Sequence, residues 1–184
     1  WAECEENVKG YSGAEYKKFS SYEEALNFIE DNKDEKIVSD EESLREDEAI
    51  AYVDGSFNLS DFTYSYGIVF ITSKNKEFYN GKDKDEELAL MRNVSGEVKG
   101  AMEAMKLALE KGIRTLYLYY DYAGIENWAK GIWKTNKSGT TRYKEFYDSI
   151  KDKLDVKFVK VKSHSGVKYN EEADKLAKKA LGIE

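Results

Sequence analysis

The 184-residue chain has no proline, one cysteine, one histidine and no apolar run approaching the length of a membrane span. Without proline, every turn must be made by Gly, Asn, Asp or Ser. A lone Cys4 excludes an internal disulfide framework and suits a reducing compartment, so a cytoplasmic protein is expected. The missing apolar run excludes a membrane-spanning helix. No secretory signal is visible, and a chain opening on Trp1 is expected to lack its natural N-terminus. What is present is ordinary for a folded protein: 41% hydrophobic residues can bury a core, and the length fits one domain plus a small extra piece.

A net charge of −7 speaks at first against nucleic acid, but the charge is unevenly spread. Sixteen of the 36 acids and six of the 29 bases fall in residues 1–48, which leaves 20 acids and 23 bases in residues 49–184. The larger part is therefore weakly basic, and more so if some of its acids ligate metal. A local patch is enough to bind phosphate.

Three parts follow. Residues 1–30 form a small aromatic module, in which Ser20 and Glu23 have capping-box spacing ahead of an apolar helix face of Ala25, Phe28 and Ile29. Residues 31–48 are polar and acidic without apolar periodicity and read as a solvated linker. Residues 49–184 read as one α/β domain. AIAYVDGS is a buried strand running into a turn; residues 64–72 and 76–80 continue as strands around a turn at Lys74-Asn75. Ser95 can cap a helix to about Lys111, with Ala101, Ala104, Met105 and Ala108 inward and Gly112 as its stop. TLYLYYD is a strand, followed by helices near 124–131 and 141–153, the strand VKFVKVK and a helix over 168–181. The order β-β-β-α-β-α-α-β-α predicts a five-stranded mixed sheet with helices on both faces.

Asp54 and Asp121 each end a strand, Glu97 opens a helix and Asp174 sits on the last one. Neighbouring parallel strand ends form the usual crevice of an α/β sheet. Acids gathered there repel and raise one another's pKa unless hard cations intervene. Each residue alone has a plainer reading, as turn former, helix-dipole partner or solvated acid, and a lone His164 is ordinarily a surface loop residue. The combination decides. AYVDGS, SGEVKGAMEAMKLAL, LYLYYD and VKSHSGVKYNEEADKLAKKAL together resemble the type 1 ribonuclease H family across about 49–184.

The resemblance implies a ribonuclease H-like fold and an endoribonuclease that hydrolyses the RNA strand of RNA–DNA hybrids. It implies two Mg²⁺ ions, with Mn²⁺ as a substitute, on Asp54, Glu97, Asp121 and Asp174. Glu103 is the one rival to Glu97. The family's assisting histidine, ten residues before its last aspartate, falls on His164. Recognition of 2′-hydroxyls falls on Ser56, Asn58 and Asn93, with Asn170 also at the substrate; for Asn58 and Asn93 turn chemistry is an equal alternative. Residues 122–146 lack the tight basic protrusion of many members, as in the subgroup that relies on a separate binding module. Trp128 and Trp133 either line the DNA-strand groove or pack, and one of Thr135, Ser138, Thr140 and Thr141 is to bind a DNA phosphate. Residues 1–30 resemble part of the family's hybrid-binding domain, whose aromatic and lysine positions match Trp1, Tyr16, Lys17 and Lys18; as a plainer alternative they are a mini-core and surface charge. A monomer acting on a hybrid duplex is expected. The competing readings are a DNA-processing nuclease of the same superfamily and a non-catalytic hybrid-binding protein.

Overall fold

The structure is a computed structural model, and it describes residues 43–161 and 167–183. Contacts divide the chain between residues 37 and 38, and everything described belongs to the second unit. Trp1, Tyr16, Lys17, Lys18 and His164 lie outside the described residues.

Five strands form one sheet. They are β1 (Glu48–Asn58), β2 (Thr63–Thr72), β3 (Lys76–Asp83), β4 (Thr115–Tyr120) and β5 (Asp155–Lys160), in the order β3-β2-β1-β4-β5. β1–β2 and β2–β3 pair antiparallel, whereas β1–β4 and β4–β5 pair parallel. The helices are α1 (Glu86–Ala89), α2 (Asn93–Glu110), α3 (Gly124–Ala129), α4 (Ser138–Ile150) and α5 (Lys168–Leu181). This is the mixed sheet expected from the element order, with one extra helical turn at α1.

Each face of the sheet has its own core. On one face Ala49, Ala51, Val53, Ile68 and Phe70 meet the apolar side of α2, where Val98, Ala101, Met105 and Ala108 recur at helical spacing and are buried. On the other, Ile50, Val69, Ile71 and Tyr119 pack with Ala173 of α5. The edge strand β3 carries Lys76, Glu77, Lys82 and Asp83, charges that discourage further strand pairing.

Several details differ from the sequence reading. β1 does not end at Asp54 but runs on to Asn58, still paired with β2. The solvated linker does not extend to residue 48: Leu44 is buried in the α5-side core and Glu48 begins β1, receiving the Arg45 amide at 3.0 Å. A single leucine among acids has no periodicity to betray it. The tight turn spans Ser73-Lys74, one residue early, closed by the Thr72 amide on the Asn75 carbonyl at 2.9 Å. Ser95 is not the cap of α2, which starts at Asn93 after Arg92; instead its buried hydroxyl donates to the Leu88 carbonyl at 2.6 Å and ties α1 to α2.

Candidate active site

Register sets the first two acids. Tyr52 of β1 pairs with Tyr119 of β4 in parallel, so Asp54 and Asp121, each two residues on, stand level, Asp54 within β1 where its pairing with β4 stops and Asp121 just past the carboxyl end of β4. The Gly55 amide holds Asp54 Oδ1 at 2.7 Å.

Glu97 arrives from α2 through a contact between glycines. A Cβ on Gly55 would lie 2.3 Å from the Glu97 amide nitrogen, and one on Gly96 would lie 2.1 Å from the Ser65 carbonyl oxygen and 2.7 Å from the Gly55 Cα. Any side chain at either position would push the helix off the strand. With none, one oxygen from each of Asp54, Glu97 and Asp121 comes within 4.8 Å of the others. Because α2 begins three residues earlier than a cap at Ser95 would set it, Glu97 lies past the first turn and is not held there by the helix dipole.

The crowding has an electrostatic consequence. Glu97 is buried, and its pKa is pushed up to about 9, first by burial and then by the Asp121 and Asp54 charges, against a lowering hydrogen bond from the Tyr122 backbone. Its Oε2 is buried without a hydrogen-bond partner. A partnerless buried carboxylate oxygen beside two more carboxylates is what a hard, oxygen-seeking divalent cation would satisfy, so these residues fit such an ion. The rival Glu103 does not join them: it pairs with Lys99 at 3.3 Å and Lys106 at 2.8 Å.

Asp174 stands across the cleft rather than inside the tight group. A cleft of about 270 Å³ is lined by Asp54, Ser56, Asp121, Asn170, Asp174 and Lys178, and the buried Glu97 adjoins the Asp54 and Asp121 that line it. Asp174 Oδ2 receives Lys178 Nζ at 2.6 Å, one turn on along α5. The helix is seated by small contacts: a Cβ on Gly67 of β2 would lie 2.0 Å from the Ala173 carbonyl oxygen, and Ser65 Oγ donates to the Ala177 carbonyl at 2.6 Å.

The matches to known proteins agree with this geometry. The RNase H family model matches residues 46–182, and a Ribonuclease H1 N-terminal domain model matches residues 1–29. The chain belongs to the RNase H family. It is 31% identical over 147 residues to the Ribonuclease H of Clostridium botulinum, covering 72% of this chain and 94% of that relative. Its fold is that of RNase H1 from the halophilic archaeon Halobacterium salinarum, with a TM-score of 0.59 at 23% identity over 73% of this chain and 98% of that one. It is likewise the fold of LC11-RNase H1 from compost, solved in complex with an RNA/DNA hybrid, with a TM-score of 0.57 at 16% identity over 72% and 99% of the two chains. RNase H enzymes hydrolyse the RNA strand of RNA–DNA hybrids, and this chain is an endoribonuclease of that kind.

The remaining residues singled out in the sequence fall as follows. Ser56 lines the RNase H cleft, and so does the buried Asn170, whose Oδ1 has no partner. Asn58 ends β1 and its side-chain Oδ1 accepts the Ser60 amide at 2.9 Å, which is turn chemistry. Asn93 is the first residue of α2. Trp128 and Trp133 meet edge-on at 5.9 Å between centroids, with Tyr122 against both. Trp133 stays 41% exposed and Trp128 is half-buried, so packing takes the larger share of Trp128. Among the four phosphate candidates, Thr140 spends its hydroxyl on the Lys137 backbone. The sequence reading missed the glycine pair and Lys178. Both left a trace: each glycine adjoins a site acid in sequence, and Lys178 stands four residues after Asp174.

Proposed function

We propose that the chain cuts hybrid RNA with two divalent ions, Mg²⁺ or in its place Mn²⁺, held by Asp54, Glu97, Asp121 and Asp174. The supporting observation is the tight group of three carboxylates with a partnerless oxygen on buried Glu97. Asp54, Glu97, Asp121 and Asp174 would hold such ions, whose positive charge would supply activation of a water nucleophile and neutralisation of the departing 3′-oxygen, consistent with a 5′-phosphate product.

The protein's own part is positioning. Asp54 from within β1 and Asp121 from just past β4 present oxygens, and Glu97 gives up the proton that its crowded site favours. Asp174 must exchange Lys178 for its new partner. Ser56 and Asn170 in the cleft, with Asn58 and Asn93 at the outer ends of β1 and α2, supply donors and acceptors for 2′-hydroxyls in the wide minor groove of an A-like duplex. His164 moves a proton or assists release of product. Trp1 and Tyr16 stack on sugars while Lys17 and Lys18 meet phosphates, giving a second hold on the duplex. The working form is a cytoplasmic monomer, which a single cysteine suits.

The test compares a labelled hybrid, double-stranded RNA and double-stranded DNA with Mg²⁺, Mn²⁺ or chelator. Only the RNA of the hybrid should be cut, and only with metal. Asp121→Asn should abolish cutting while hybrid binding persists; full activity in that variant would end the assignment.

A further inference from the structure

Beyond the cleft, the two most exposed large apolar side chains among the described residues are Leu90 at 70% and Leu59 at 68%. Leu59 sits with Phe62, 57% exposed, in the hairpin between β1 and β2; Leu90 sits between α1 and α2. Phe62 and Leu90 face one shallow groove together with Ala89, Asp61 and Lys84. Apolar side chains left this open in one place mark a surface that something covers.

Backbone strain accompanies the patch. Among the described residues, Phe62 at φ 54° and Arg92 at φ 52° are the two non-glycine residues with positive φ. One lines the groove and the other is two residues from Leu90. Phe62 is a bulky aromatic in a conformation that glycine or asparagine adopts far more readily, and its ring is fixed edge-on to Phe57 at 6.1 Å. Strain of this kind persists where a side chain is needed in a set place.

We propose that Phe62 and Leu90 form an apolar contact with the sugars of the hybrid's minor groove, with Lys84 and Arg92 on the flanking phosphates. Three observations favour this occupant. The patch is carried on the same segments as the asparagines proposed for 2′-hydroxyls: Asn58 lies four residues before Phe62 and Asn93 three after Leu90. Exposed cations border an apolar centre, since Lys84 and Arg92 are both open to solvent and the Lys84–Asp61 pair at 3.4 Å is itself solvent-screened. The reach suits a duplex already engaged, because four residues of strand carry Asn58 about 13 Å beyond Asp54. Minor grooves commonly take apolar side chains against their sugars and base steps.

The inference rests on the hybrid-cutting reading, and the two fail separately. Steady-state cleavage of a labelled hybrid is compared for wild type and F62A/L90A, with binding by anisotropy in the Asp121→Asn background. KM and Kd should rise about tenfold with kcat within about twofold, and the melting temperature should hold because both side chains are exposed. F62G, which relieves the positive φ, should weaken binding while folding at least as stably, a result no structural role would give. K84A/R92A should reduce the salt slope of hybrid binding by about two, and F62A/L90A should leave it unchanged. Wild-type cleavage that Asp121→Asn abolishes, with KM and Kd unaltered in F62A/L90A, would overturn this inference and leave the activity standing. So would self-association of the wild type that F62A/L90A removes without a change in hybrid affinity.

Discussion

The acids at the cleft are held in two different ways. Asp54, Glu97 and Asp121 are placed by backbone: parallel register levels two of them, and direct contact of Gly55 with Gly96 brings in the third. Buried beside the other two carboxylates, Glu97 holds its proton up to about pH 9. Asp174 is placed by a side chain on α5 and brings its own counter-ion in Lys178 at 2.6 Å. The helix itself is pinned to β2 through Gly67 and Ser65. One half of the site is thus preformed and electrostatically strained toward a cation, and the other half is satisfied until a cation competes.

The sharpest way to break the contrast is Gly96→Ala. Its methyl would meet backbone atoms at 2.1–2.9 Å, which no rotamer change can relieve. Cutting should fall more than about a hundredfold, with a stability loss of about 1–3 kcal/mol by thermal unfolding, the usual cost of overpacking. A variant with normal activity would show that Glu97 is not placed by this contact.

Next in size is a pH effect on the metal-free protein. Glu97 titrates near its ordinary 4.5 when unfolded and at about 9 when folded, so the folded state holds the extra proton between those values. Stability from this group is fully present below about pH 4.5 and is lost as pH rises through about 9. Melting temperatures in chelator should decline across that window by several degrees more for wild type than for Glu97→Gln, and saturating Mg²⁺ should remove the difference. Parallel curves for the two proteins in chelator would refute the crowding.

The smallest expected effect is at Lys178. Its pair with Asp174 is part-exposed, with side chains 43% and 22% accessible, so Lys178→Met should cost less than about 1 kcal/mol. The same change frees Asp174 and should tighten Mn²⁺ binding several-fold by calorimetry. Unchanged or weaker affinity would mean that Lys178 does not compete for that carboxylate.

Much of the fold was legible because its signals are local. Alternation and apolar runs gave all five strands, and the spacing of Ala101, Ala104, Met105 and Ala108 gave the inner face of α2. Asp54 and Asp121 could be paired from topology, since neighbouring parallel strands bring them level, although β1 runs four residues past Asp54. What escaped depends on contacts between distant residues. Ser95 looks like a helix cap until Leu88 is found beside it, and Leu44 looks like linker until the sheet is built. The reason for Gly96 lies 41 residues away at Gly55, and the apolar pair of Phe62 and Leu90 comes from two separate loops. In each case the neighbour that explains the residue is supplied only by the fold.

Titration calorimetry with Mn²⁺ near pH 7.5, in buffers of different ionisation enthalpy, tests most directly whether the crowded carboxylates form a cation site. Wild type should bind with release of a proton from Glu97, whose protonated form prevails below about pH 9, and Asp121→Asn should lose most of that affinity and of that proton. Equal affinity and equal proton release in the two proteins would contradict it.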